Sequence, residues 1–91
     1  MLLGKVVGTV TATRKTEALS GYKFLLVQPR ASAKDKHDSG AGLLVAVDAT
    51  GAGVGEDVIL STGRAARIAI GNENLPVDAT VIGIVDGIDA Q

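Results

Sequence analysis

The sequence predicts a mainly β fold, a small five-stranded barrel of the oligonucleotide-binding type with at most one short helix. Three observations lead there. Twelve glycines and two prolines in 91 residues interrupt the chain too often for a helical bundle and suit short strands joined by tight turns. Hydrophobic residues make up 46% of the chain and aromatics only 2%, which argues against disorder and leaves Val, Ile, Leu and Ala to build the core. Five apolar runs of strand length lie between clusters of turn-forming residues.

The elements follow in order. Met1 to Lys15, rich in Val and Thr, reads as a long first strand bending at Gly4 and Gly8, where side chains are missing. Leu19, Ser20 and Gly21 make a turn into a second strand, KFLLVQP, stopped by Pro29 because proline cannot continue a central ladder. Arg30 to Gly42 is polar and reads as an exposed loop inserted in the domain. Leu43 to Asp48 is an almost continuous apolar run, expected as a third strand covered on both faces. The alternating glycines of GAGVGE, Gly51 to Glu56, form a tight loop into a fourth strand, Asp57 to Ser61. Ala65 to Ile70 reads as one or two helical turns ended by Gly71 and Asn72, and Thr80 to Asp89 as the fifth strand. No internal repeat or linker divides residues 1–91, which read as one domain.

Composition also excludes functions. Nine basic and ten acidic residues give a net charge of −1, without the electrostatic footprint that nucleic acid or an anionic membrane requires. The absence of cysteine removes disulfides, thiolate zinc sites and cysteine nucleophiles together. No run reaches membrane-spanning length and the first residues lack the order of a signal peptide, so a soluble intracellular protein is expected. The single histidine, His37, lies in KDKHDS and reads as a solvated loop residue, with too few converging ligands for a metal and no serine (Ser20, Ser39, Ser61) placed for a triad. Asp78, Asp86 and Asp89 read as polar positions around the last strand rather than as paired acid and base. GAGVGE is not a dinucleotide fingerprint, because its glycines lead into a strand instead of opening a helix. A barrel that binds a small ligand or single-stranded nucleic acid is the functional alternative, but Tyr22 and Phe24 are the only aromatics available for stacking.

The succession LGKVVGTVTATRK, GYKFLLVQP, VAVDATGAGVGE, TGRAAR and PVDATVIGIVD resembles, in order and over essentially the whole chain, the bacterial microcompartment vertex proteins. The resemblance implies an oligonucleotide-binding-like barrel that forms a cyclic homopentamer. The ring would cap the five-fold corners of a cytoplasmic protein shell tiled by hexameric shell subunits. It also implies no catalysis, no cofactor and no nucleic-acid or membrane partner. By position, Val47, Asp48, Gly51, Ala52, Gly53, Gly55 and Glu56 match the family's VD-x-x-GAG-x-GE segment. That segment is expected either to form subunit contacts or to be a tight turn needed for folding alone. Gly63, Ala65, Ala66 and Arg67 match a family loop in which Arg67 is a structural or interface arginine, the alternative being a surface cation. Arg64 departs from the serine usual in that loop. Near a five-fold axis it would gather like charges unless each copy pairs with an acid. Pro76 to Ala79 and Gly83 to Asp86 match segments expected to shape the start of the last strand and to be buried in it. The tail stops at Gln91, sooner than in many relatives, so attachment to facets is expected through the barrel's perimeter.

Overall fold

A computed structural model describes residues 1–12, 15–30 and 42–88. Strands β1 (Leu2–Val10), β2 (Phe24–Arg30), β3 (Leu44–Asp48), β4 (Asp57–Thr62) and β5 (Ala79–Val85) close into a barrel in the order β1-β2-β3-β5-β4. Helix α1 (Gly63–Ile70) lies between β4 and β5, and a single 3-10 turn covers Glu17–Leu19. Every strand pairing is antiparallel except β3 with β5. The expected five-stranded barrel with one short helix is therefore the observed one. His37, Ser39 and Asp89, together with most of the loop expected over Arg30 to Gly42, lie outside the described residues.

Alternation along the strands fills the barrel with aliphatic side chains. Val6, Leu25, Val27, Ala46, Val58, Leu60, Ala79 and Val81, with Ala52 from the turn after β3, form one fully buried cluster. Gly4 has a packing role, not the bending role expected of it. A Cβ there would lie 2.6 Å from Val27 Cγ1 and 3.1 Å from the Gln28 carbonyl oxygen, so β1 and the barrel interior approach too closely for any side chain. Gly4→Ala is expected to cost about 1–3 kcal/mol through overpacking, read as a lowered urea midpoint with an unchanged slope. The irregularity in β1 falls instead between Val6 and Gly8, where its register against β2 slips by one residue.

Three strand expectations are corrected. Pro29 does not stop β2: it pairs with Gly4 and the strand runs on to Arg30. Proline is tolerated because the pairing of β2 with β3 ends at Val27 with Leu44, so among the described residues Pro29 has a strand neighbour on the β1 side only. β3 is not covered on both faces, since Val45 is 50% exposed between buried Ala46 and half-buried Leu44. β5 ends at Val85, leaving Asp86 outside the strand, and Ile84 is exposed rather than buried.

A second apolar cluster lies outside the barrel wall. Val47 follows Ala46 and so points to the other face, where it packs with Ala66, Leu75 and Val77 and with partly buried Leu19, Tyr22, Phe24 and Ile70. This cluster joins α1 to Val47 of β3, while the helix itself lies along β5 and β4. The helix starts two residues before the expected position, at Gly63, whose φ of 61° and N–H donated to the Asp78 carbonyl (2.8 Å) turn the chain out of β4. It ends as expected at Gly71, a left-handed C-cap whose N–H donates to the carbonyls of Arg67 and Ile68. The buried Thr80 hydroxyl on β5 donates to the Ala66 carbonyl (2.9 Å), fastening the middle of the helix to the barrel.

Candidate functional site

The two segments singled out by sequence, Val47 to Glu56 and Gly63 to Arg67, are built in different ways. In the first, Asp48 ends β3 with a side chain only 2% exposed. Its Oδ1 accepts the Thr50 N–H (2.9 Å), the Thr50 hydroxyl (3.0 Å) and the Gly51 N–H (3.1 Å), which closes an Asx turn. Gly51 completes that turn at φ 82°. Lys23 reaches over it, donating to the Ala52 carbonyl (3.0 Å) with its ammonium 3.8 Å from Asp48 Oδ2. The chain then folds back: Glu56 Oε1 accepts the Gly53 N–H (2.7 Å), Gly55 N–H donates to Val6 O and Val6 N–H donates to Glu56 O. Asp48 and Glu56 thus shape the loop through partners within the chain, and Val54 at its tip is exposed.

The second segment is the first turn and a half of α1: the resemblance implied a loop there, while the helical reading of Ala65 to Ile70 covers its second part. Ala66 faces the outer cluster, and Arg67 is half-buried. Ala65, Ile68 and Ala69 share the opposite side and are exposed, Ile68 to 56%. Arg64, also exposed, donates from Nε (2.9 Å) and Nη2 (2.8 Å) to Glu73 Oε1, so the acid that would relieve crowding of like charges comes from the same chain. Both partners are solvated, and Arg64→Ala is expected to cost less than about 1 kcal/mol, seen as a melting temperature almost unchanged at high salt. Arg67, in contrast, makes no side-chain hydrogen bond or ion pair with any described residue.

A shallow pocket of about 250 Å³ lies beside the outer cluster, lined by Leu19, Phe24, Val45, Val47, Pro76 and Val77 among others. Sequence reading missed Lys23, Glu73 and Thr80, whose partners lie far away along the chain or across a helix end where no periodic spacing signals them. Tyr22 and Phe24 are partly buried in the outer cluster, where they pack against aliphatic side chains. Among the described residues no group of three or more His, Asp or Glu side chains converges.

The molecule is thus a closed aliphatic barrel whose polar side chains tie its turns together and whose helix exposes Ala65, Ile68 and Ala69. The chain belongs to the EutN/CcmL family, matching the family described as "Ethanolamine utilisation protein EutN/carboxysome" over residues 1–86. It is 46% identical over 89 residues to the bacterial microcompartment shell vertex protein GrpN of Rhodospirillum rubrum (strain F11), covering 98% of this chain and 97% of that protein. The carboxysome shell vertex protein CcmL of Synechocystis sp. (strain ATCC 27184 / PCC 6803 / Kazusa) is 41% identical over 92 residues, covering 98% of this chain and 86% of CcmL. The solved structure of the GrpN pentameric microcompartment shell protein from Rhodospirillum rubrum superposes with a TM-score of 0.82 at 43% identity, covering 100% of this chain and 99% of that one. These relatives are shell proteins, and the chain is a structural protein rather than an enzyme.

Proposed function

We propose that five copies of this chain form a ring that caps a vertex of a bacterial microcompartment shell in the cytoplasm. The observation that carries the reading is the match, over nearly the full length of both chains, to a relative whose solved structure is described as pentameric. The mechanism is geometric. A flat hexagonal layer cannot close into a polyhedron, and a head-to-tail contact repeated through a five-fold rotation supplies the missing curvature. Hexameric shell subunits would bind the perimeter of the ring, and neither nucleic acid nor membrane is a partner.

The exposed side of α1, carrying Arg64, Ala65, Ile68 and Ala69, and the half-buried Arg67 are proposed to face other subunits. Ala65 and Ala69 allow close approach, and the Arg67 fork, with no partner among the described residues, suits a carboxylate brought by a neighbour. Val47, Asp48, Gly51, Gly53, Gly55, Glu56, Gly63 and Ala66 would serve assembly indirectly, by fixing the shape of the two segments. Native mass spectrometry tests the reading: a species of five chains is expected, and a single-chain species at every concentration would overturn it. In cells lacking every such subunit, elongated or open shells are expected, and normal sealed shells would contradict the role.

A further inference from the structure

Directly after β5 the chain joins an aspartate to a glycine, Asp86-Gly87. An aspartyl side chain is open to attack by the amide nitrogen of the next residue when both groups are free and the backbone can swing them together. Glycine in the second position makes that approach easiest, having no side chain to obstruct it and the widest choice of backbone angles. The four described aspartates meet these conditions very unequally. Asp48 Oδ1 is held by three donors, and the N–H of the following Ala49 donates to the Val81 carbonyl (3.2 Å). Asp57 starts β4 with Arg30 Nη2 3.1 Å from its Oδ1, and the next residue is the buried, β-branched Val58. Asp78 is followed by Ala79, which is buried and paired with Thr62 of β4.

At Asp86 all of these restraints are missing. Its carboxylate and the Gly87 N–H have no hydrogen-bond or ion-pair partner among the described residues. Both residues are exposed, and a Cβ built on Gly87 would meet nothing within 4 Å. We infer that Asp86-Gly87 is a modification site: it converts spontaneously to an isoaspartyl linkage, which makes aged copies substrates for a carboxyl methyltransferase that recognises isoaspartate. In the first step the Gly87 nitrogen bonds to Asp86 Cγ, the nitrogen gives up its proton, Cγ loses its hydroxyl, and one water leaves. Water then opens the cyclic imide. Attack at Cγ restores aspartate, whereas attack at the former main-chain carbonyl carbon leaves the backbone running through Cβ and Cγ. The water lost is regained, so mass and charge match those of the starting chain. The methyltransferase moves a methyl group from S-adenosylmethionine onto the freed α-carboxylate and leaves S-adenosylhomocysteine. The barrel is spared, because Val85 keeps its pairing with Asp57 and only the chain from Gly87 onward, with exposed Ile88, is redirected.

The inference does not depend on how copies assemble. To test it, the full chain would be kept folded near neutral pH for several weeks, then digested and mapped by mass spectrometry with electron-transfer fragmentation. Methyl uptake from S-adenosylmethionine in the presence of an isoaspartyl methyltransferase gives a second readout. A second peptide spanning Asp86-Gly87 is expected, with unchanged mass and shifted retention, and it should gain one oxygen-18 when the incubation is in labelled water. Gly87→Val crowds the attacking nitrogen and Asp86→Glu demands a larger ring. Each is expected to abolish that peptide with the melting temperature unchanged. A synthetic peptide of residues 84–88 serves as the reference for the reaction without the fold. Isoaspartate in the peptide but not in the folded chain would overturn the inference, as would isoaspartate confined to other aspartates, such as Asp38 in the Asp38-Ser39 pair.

Discussion

Replacing Leu25 by alanine is expected to destabilise the fold by about 3 kcal/mol, within the roughly 2–5 kcal/mol that follows deletion of a fully buried leucine side chain. Leu25 is among the largest side chains with no exposure, and its strand lies between β1 and β3, facing Thr9 on one and Ala46 on the other. Neighbours in a barrel wall are held by ladder hydrogen bonds and cannot collapse into the vacated space, so the cavity persists. A domain of this size has a total stability of about 5–10 kcal/mol, and the variant would lose a large share of it. The measurement is a urea titration at fixed protein concentration, because the proposed association of copies would add a concentration-dependent contribution. A midpoint within error of the parent would contradict the placement of Leu25 at the centre of the core.

The second large effect belongs to Asp48. Alanine at this position deprives the Thr50 N–H, the Thr50 hydroxyl and the Gly51 N–H of their common acceptor and leaves the Lys23 ammonium without its nearest carboxylate. Hydrogen bonds to a charged group contribute about 1.5–3 kcal/mol, so a loss of about 2–3 kcal/mol is expected for the variant. Asp48→Asn keeps an acceptor oxygen where Oδ1 stands, and is expected to retain most of that stability. The pair of variants separates turn geometry from charge. If asparagine proved as costly as alanine in the same denaturation assay, the attraction to Lys23 and not the Asx turn would be holding the loop.

What could be read from sequence was local. Gly71 after an apolar stretch announced the end of the helix because only a left-handed residue closes it, and the strand runs were legible from β-branched content between glycines. The first turn of the helix was not legible, since Gly63 is a poor helix former and is placed there by its N–H bond to Asp78, fifteen residues on. Pro29 misled because the rule against proline applies to strands with neighbours on both sides, and where the pairing of β2 with β3 ends is a tertiary fact. At the candidate site, the family resemblance picked out Asp48, Glu56 and Arg67 without saying what each touches. Glu73 as the partner of Arg64 depends on how the chain doubles back after α1, which no periodicity encodes.

The parallel junction of β3 with β5 has a consequence for how the chain acquires its shape. β5 is the last of the five strands, and it fills the gap between β3 and β4 that the other pairings leave open. During synthesis the first four strands therefore emerge as an unclosed sheet, and closure waits for residues near 80 to leave the ribosome. Topologies dominated by such distant pairings fold slowly, in roughly milliseconds to seconds, and expose apolar sheet in the interval. A chain whose synthesis stops short of β5 would thus present the aliphatic interior of the barrel to its surroundings.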